Sequence, residues 1–96
     1  MSYILEIKSE ASLEITEAYL YYEKKRIGLG EEFLAHLDIY FTRIKKNPEH
    51  FPQKRNLFCE AFIRRFPYLV IYEILENKVI VYSVFNTWQN PEKKKK

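Results

Sequence analysis

The chain holds one cysteine, two histidines and two glycines, and each shortage closes off a class of protein. A lone cysteine, Cys59, cannot form an internal disulfide, and it stands in an apolar run away from any histidine–acid pair. A reduced compartment is therefore expected, and a nucleophilic thiol is not. Gly28 and Gly30 are too few for a phosphate-cradling loop, and no His, Cys and acid cluster has metal-ligand spacing. Neither cofactor nor metal is expected. No apolar run approaches the roughly 20 residues that span a bilayer, and no basic segment followed by an apolar one opens the chain. These absences predict a soluble, cytoplasmic protein with no membrane partner. Internal repeats and a second domain are also missing.

What is present suffices for a real core. Hydrophobic residues make up 47% of the 96-residue chain and aromatics 17%, enough to fill a two-layer fold without disulfide or metal support. One domain over residues 1–92, followed by a basic tail at 93–96, is expected. The net charge of +3 divides unevenly: residues 1–53 carry seven Lys/Arg against nine Asp/Glu, and residues 54–96 carry nine against four. Lys54, Arg55, Arg64, Arg65 and the tail concentrate the positive charge, a pattern suited to nucleic acid or an acidic protein surface, although a frayed lysine tail is also simply well solvated.

The hydrophobic periodicity gives the element order. Tyr3 to Lys8 alternates, with Tyr3, Leu5 and Ile7 on one face, and predicts a first strand. Ser9 is placed to cap a helix reaching about Arg26, whose apolar positions are Ala11, Ile15, Ala18, Tyr19 and Tyr22. After Gly28-Leu29-Gly30, a second helix from about Glu31 carries Phe33, Leu37, Tyr40, Phe41 and Ile44 and stops at Asn47-Pro48. Residues 57–66, 68–75 and 79–86 then predict three strands, the last two joined by a tight turn at Glu76-Asn77-Lys78. Tyr68 to Leu75 and Val79 to Phe85 are almost continuously apolar, as central strands are. In the first of the three, alternation sends Arg64 and Arg65 to opposite sides of the sheet. The resulting fold is α+β, β-α-α-β-β-β, with an α-hairpin on one face of a mostly antiparallel four-stranded sheet.

Several segments in this order resemble the RelE/ParE toxin family. They are Ala11 and the acidic amphipathic stretch to Tyr22-Glu23, Gly28-Leu29-Gly30-Glu31-Glu32-Phe33-Leu34, Asn47-Pro48 with Phe51-Pro52, Arg65-Phe66-Pro67-Tyr68 leading into Ile71-Tyr72, and Val84 to Pro91. The resemblance covers nearly the whole chain. It implies the toxin component of a type II toxin–antitoxin system, neutralised by a cognate antitoxin protein. It also implies one of two activities: ribosome-dependent messenger RNA cleavage, as in RelE-like members, or inhibition of DNA gyrase, associated with ParE-like members.

Chemistry favours the second. RNA cleavage needs a group that takes a proton from the 2′-hydroxyl, one that protonates the leaving oxygen, and cations around the phosphate. Ribonuclease-type relatives often carry an arginine entering an Arg-Leu-Val-Tyr run, and a histidine or tyrosine near the last strand. Here the run is Leu69-Val70-Ile71-Tyr72, and Asn86, which cannot exchange a proton near neutrality, stands near the end. His36 and His50 are expected on the surface, and Tyr68, Tyr72 and Tyr82 in the core or at its rim. No catalytic set can be assigned. Two alternatives stay open: an RNA-cutting toxin using Lys54, Arg55, Arg65 and a tyrosine, and a non-toxic module that only binds antitoxin.

The expected target- or antitoxin-binding residues are Lys54, Arg55, Arg64, Arg65, Asn86 and Trp88. One of Arg64 and Arg65 should emerge on the open sheet face near Lys54 and Arg55 as a cationic patch. The plainer alternative pairs Arg65 with a helix carboxylate and lays its stem on an aromatic. Trp88 is expected to cap the core rather than to stand free for a partner.

Overall fold

A computed structural model describes residues 3–54 and 58–88. Along the chain lie β1 (Ile4–Ile7), α1 (Ser9–Lys25), α2 (Leu29–Lys46), a short 3-10 turn (Pro48–His50), β2 (Gln53–Lys54), β3 (Phe58–Ile63), β4 (Tyr68–Leu75) and β5 (Lys78–Asn86). The sheet order is β1-β5-β4-β3-β2, with β1 parallel to β5 and every other pairing antiparallel. All four expected strands form, and β2 adds a two-residue edge beside β3.

The expected α2 stripe, Phe33, Leu37, Tyr40, Phe41 and Ile44, is buried in full. Of the α1 stripe Ala11 and Ala18 are buried and Ile15 and Tyr22 partly so, whereas the Tyr19 hydroxyl donates to Glu31 in an exposed contact. The buried residues of both helices meet Cys59, Ala61, Ile63, Tyr68, Val70, Tyr72, Val79, Val81 and Val84 of the sheet. Each large apolar side chain sealed in this layer contributes about 1.5–3 kcal/mol. At its centre Tyr22, Phe33, Phe66 and Tyr68 form a ring cluster with centroids 5.0–6.2 Å apart.

Two helix starts differ from expectation. Ser9 is the first helical residue, not the cap, because the Lys8 N–H still donates to the Val81 carbonyl and holds Lys8 extended. The second helix starts at Leu29 rather than Glu31, since Gly28 turns the chain with φ 93° and Glu23 caps the new helix from the preceding one. Its carboxylate accepts from the N–H groups of Gly28 and Gly30, both at 2.9 Å.

The first expected C-terminal strand is shorter than predicted. It ends at Ile63, and residues 64–67 form a turn, so Arg64 and Arg65 do not obey strand alternation. In β5 a bulge opposite Ile71/Tyr72 inserts one residue, which lets both Val81 and Val84 face the helices.

Candidate binding surface

The helices cover one sheet face. Residues that alternate with the core positions point the other way, and the pairing registers place Phe62, Leu69 and Phe85 side by side across β3, β4 and β5. Ile71 sits one step along β4, between Glu60 and Ser83. Farther along the same face, Phe58 stacks edge-on against Tyr82 at 5.4 Å, and the Tyr82 hydroxyl donates to Glu73 at 2.9 Å. Phe62 is 55% exposed. The middle of this face thus presents apolar and aromatic side chains, with carboxylates at Glu60, Glu73 and Glu6 around them. Such a surface binds by excluding water from its centre and setting orientation at its rim.

The turn at 64–67 is fastened at every residue. The Arg64 N–H donates to the Tyr40 hydroxyl at 3.3 Å, the Arg65 guanidinium donates to Glu32 at 2.8 Å, and Phe66 is buried under the α-hairpin with the His36 ring against it. The Pro67 carbonyl accepts from both the N–H and hydroxyl of Thr87. These contacts leave the Arg64 side chain exposed, while Arg65 lies over the Phe66 ring, 5.6 Å from its centroid. Arg65 therefore takes the plainer of its two expected roles, pairing with an α2 carboxylate and packing on an aromatic.

Asn86 closes β5. Its Nδ2 reaches the Tyr68 hydroxyl at 3.4 Å and its Oδ1 accepts the Trp88 N–H at 2.9 Å, a side-chain turn that ends the strand. Trp88 follows with 82% of its surface exposed. It does not cap the core as expected, because the ring cluster beneath the α-hairpin already fills that space.

Four of the six anticipated residues, Arg64, Arg65, Asn86 and Trp88, thus gather at one end of the sheet. Lys54 pairs across from Phe58, at the opposite end of β3, roughly 20 Å away by strand rise. The backbone of Lys54 and that of the arginine pair thus stand at opposite ends of β3. Arg55 and the side chain of Lys54 lie outside the described residues, as does the lysine tail.

Burial dominates the titration of the core phenols and the thiol. Desolvation pushes the Tyr68 and Tyr72 phenols well above their ordinary range, with neighbouring Tyr22 and Cys59 respectively adding to it. The Cys59 thiol is also raised, first by burial, which leaves it protonated and unreactive. The Nδ1 of His36 donates to the Glu32 carbonyl at 3.0 Å, and His50 is exposed in the 3-10 turn. Among the described residues no group of three His, Cys, Asp or Glu side chains could hold a metal, and no helix is long and apolar enough to cross a membrane.

Sequence reasoning did not single out Phe62, Leu69, Ile71 and Phe85 as a surface. The signal was present: β4 and β5 are apolar on both faces, yet two helices can cover only one.

An α-hairpin on a mixed sheet, with an apolar reverse face on which Phe62 is exposed, Leu69 and Ile71 are half-buried and Phe85 is buried, defines a small binding domain with helices on one side of its sheet. Comparison with known families makes this specific. The chain belongs to the ParE toxin family: the model for "ParE toxin of type II toxin-antitoxin system, parDE" matches residues 5–91. Among solved structures, a chain of the chromosomal ParDE toxin–antitoxin system from P. aeruginosa is similar in fold, with a TM-score of 0.78 and 8% sequence identity over 88% of this chain and 96% of that one. A search of curated proteins gave no match.

Proposed function

We propose that this ParE-family toxin acts in the cytoplasm without cutting RNA, by inhibiting DNA gyrase, and that its antitoxin neutralises it by laying an amphipathic segment on the open sheet face. The observation that carries this reading is the Phe62–Leu69–Phe85 row. At Leu69, where RNA-cutting relatives are expected to carry a guanidinium, this chain contributes an apolar side chain to an apolar strip. Asn86 is engaged with Tyr68 and Trp88, and burial keeps the phenols of Tyr68 and Tyr72 protonated.

Expression without the neighbouring antitoxin gene, combined with a supercoiling assay on purified protein, tests the reading. Growth arrest, inhibited supercoiling and intact message are expected. Ribosome-dependent message cleavage that disappears in Arg65→Ala would instead establish the RNA-cutting alternative. Tight antitoxin binding with unimpaired growth would establish a binding-only module.

A further inference from the structure

The outer face of α1 is unlike a solvated helix face. Ala11, Ile15, Ala18 and Tyr22 turn toward the core, and on the opposite side stand Leu13 and Leu20, 59% and 56% exposed. Ile27, just past the helix end, is 89% exposed. Leu13 and Leu20 are seven residues apart, the repeat that keeps one side of a helix against a neighbouring helix, and Ile27 follows the extended Arg26 beyond the helix. Between them on the same side lie Glu17 and Lys24, neither with a partner among the described residues. They are seven positions apart, roughly 10 Å along the axis, too far to pair within one helix.

A two-fold axis removes that distance. If a second α1 runs antiparallel, with the axis passing between Leu20 and Tyr21, position i faces position 41 − i of the other copy. Glu17 then lies opposite Lys24 of the second copy, and Lys24 opposite its Glu17. Leu20 meets the second copy's Tyr21. The surface is thus self-complementary in both charge and apolar content, as an isologous contact requires, and antiparallel helices also oppose their dipoles favourably.

We propose that two copies of this chain associate through α1, antiparallel about an axis beside Leu20 and Tyr21, with Glu17 of each meeting Lys24 of the other. One helix face per copy is a small interface by the standard of stable complexes, so the dimer is reversible and concentration-dependent. It leaves the open sheet face free in both copies.

Sedimentation equilibrium of the purified full chain tests the proposal. The wild type is expected to dimerise. Glu17→Lys places like charges together twice and should raise the dissociation constant by roughly tenfold or more. Adding Lys24→Glu in the same chain exchanges the charges and should restore the wild-type value. All these positions are solvent-exposed, so an unchanged thermal midpoint shows that the fold is intact. A chain that stays monomeric at high concentration, or a dimer indifferent to Glu17→Lys, overturns the proposal.

Discussion

The hydroxyl of Tyr72 donates to the Pro48 carbonyl at 2.6 Å from inside the core, and the ring itself is fully buried. This bond fixes the chain as it leaves α2 and turns toward β2. Tyr72→Phe keeps the ring but strands a buried carbonyl, and should lower stability by about 1–3 kcal/mol in urea denaturation. A pH dependence follows from the same site. Below the ordinary phenol value near 10, folded and unfolded chains both hold the proton and its contribution is constant. Above that value the unfolded chain releases a proton that the folded one retains, so stability falls as the solution becomes more alkaline. Tyr68 adds to this slope in the same sense, and Tyr72→Phe should make it shallower. A stability profile that stays flat through the alkaline range would contradict the burial of both phenols. By contrast, the Arg65–Glu32 pair is half exposed and holds the 64–67 turn with little net energy. The residue types needed for these contacts are visible in the sequence. Their partners, 24 and 33 positions away, are not.

The α-hairpin depends on two glycines for different reasons. Gly28 adopts φ 93° in open space, whereas Gly30 lies against α1, where an added Cβ would stand 2.7 Å from the Tyr19 carbonyl oxygen and 2.8 Å from its ring. Gly28→Ala should therefore cost about 1 kcal/mol of backbone strain. Gly30→Ala should cost about 1–3 kcal/mol because backbone must move apart. Thermal denaturation of the two variants distinguishes strain from contact, and equal losses would refute the close approach at Gly30. The glycine pair announces a break between helices in the sequence, and the position of the break is legible. The cap is not, since Glu23 belongs to the preceding helix and reads simply as one more acidic surface residue. The β4–β5 turn is similar: the tight connection is legible, but the left-handed residue is Glu76, with φ 57°, where asparagine would ordinarily be the better candidate. Phe66 continues the alternation of the strand before it, so the sequence pattern runs past Ile63, where β3 ends. The tertiary fold instead draws Phe66 beneath α2, and the chain must turn to bring it there.

Across the described residues, β5 inserts between β1 and β4, so the first and last described strands are neighbours and the sheet closes only once β5 is in place. That closure aligns Phe62, Leu69 and Phe85 on three strands. If this row receives the antitoxin, Phe62→Glu should leave the fold nearly as stable, as its ring is more than half exposed. It should weaken antitoxin binding by about 2–4 kcal/mol, measured calorimetrically with the co-expressed partner. Undiminished binding would move the contact to another surface.

The sequence by itself determined the element order, the α2 stripe and most of the α1 stripe, the absence of an internal disulfide and the family. Those properties reside in local periodicity, composition and short segments, which need no knowledge of what lies across the fold. Only the tertiary structure decided which charged residues keep company. It separated Lys54 from the arginine pair by the length of β3, turned Arg65 onto Glu32, and left Trp88 outside a core already filled. Strand register, turn position and competition for interior volume are set by all the elements together, and a one-dimensional pattern does not contain them.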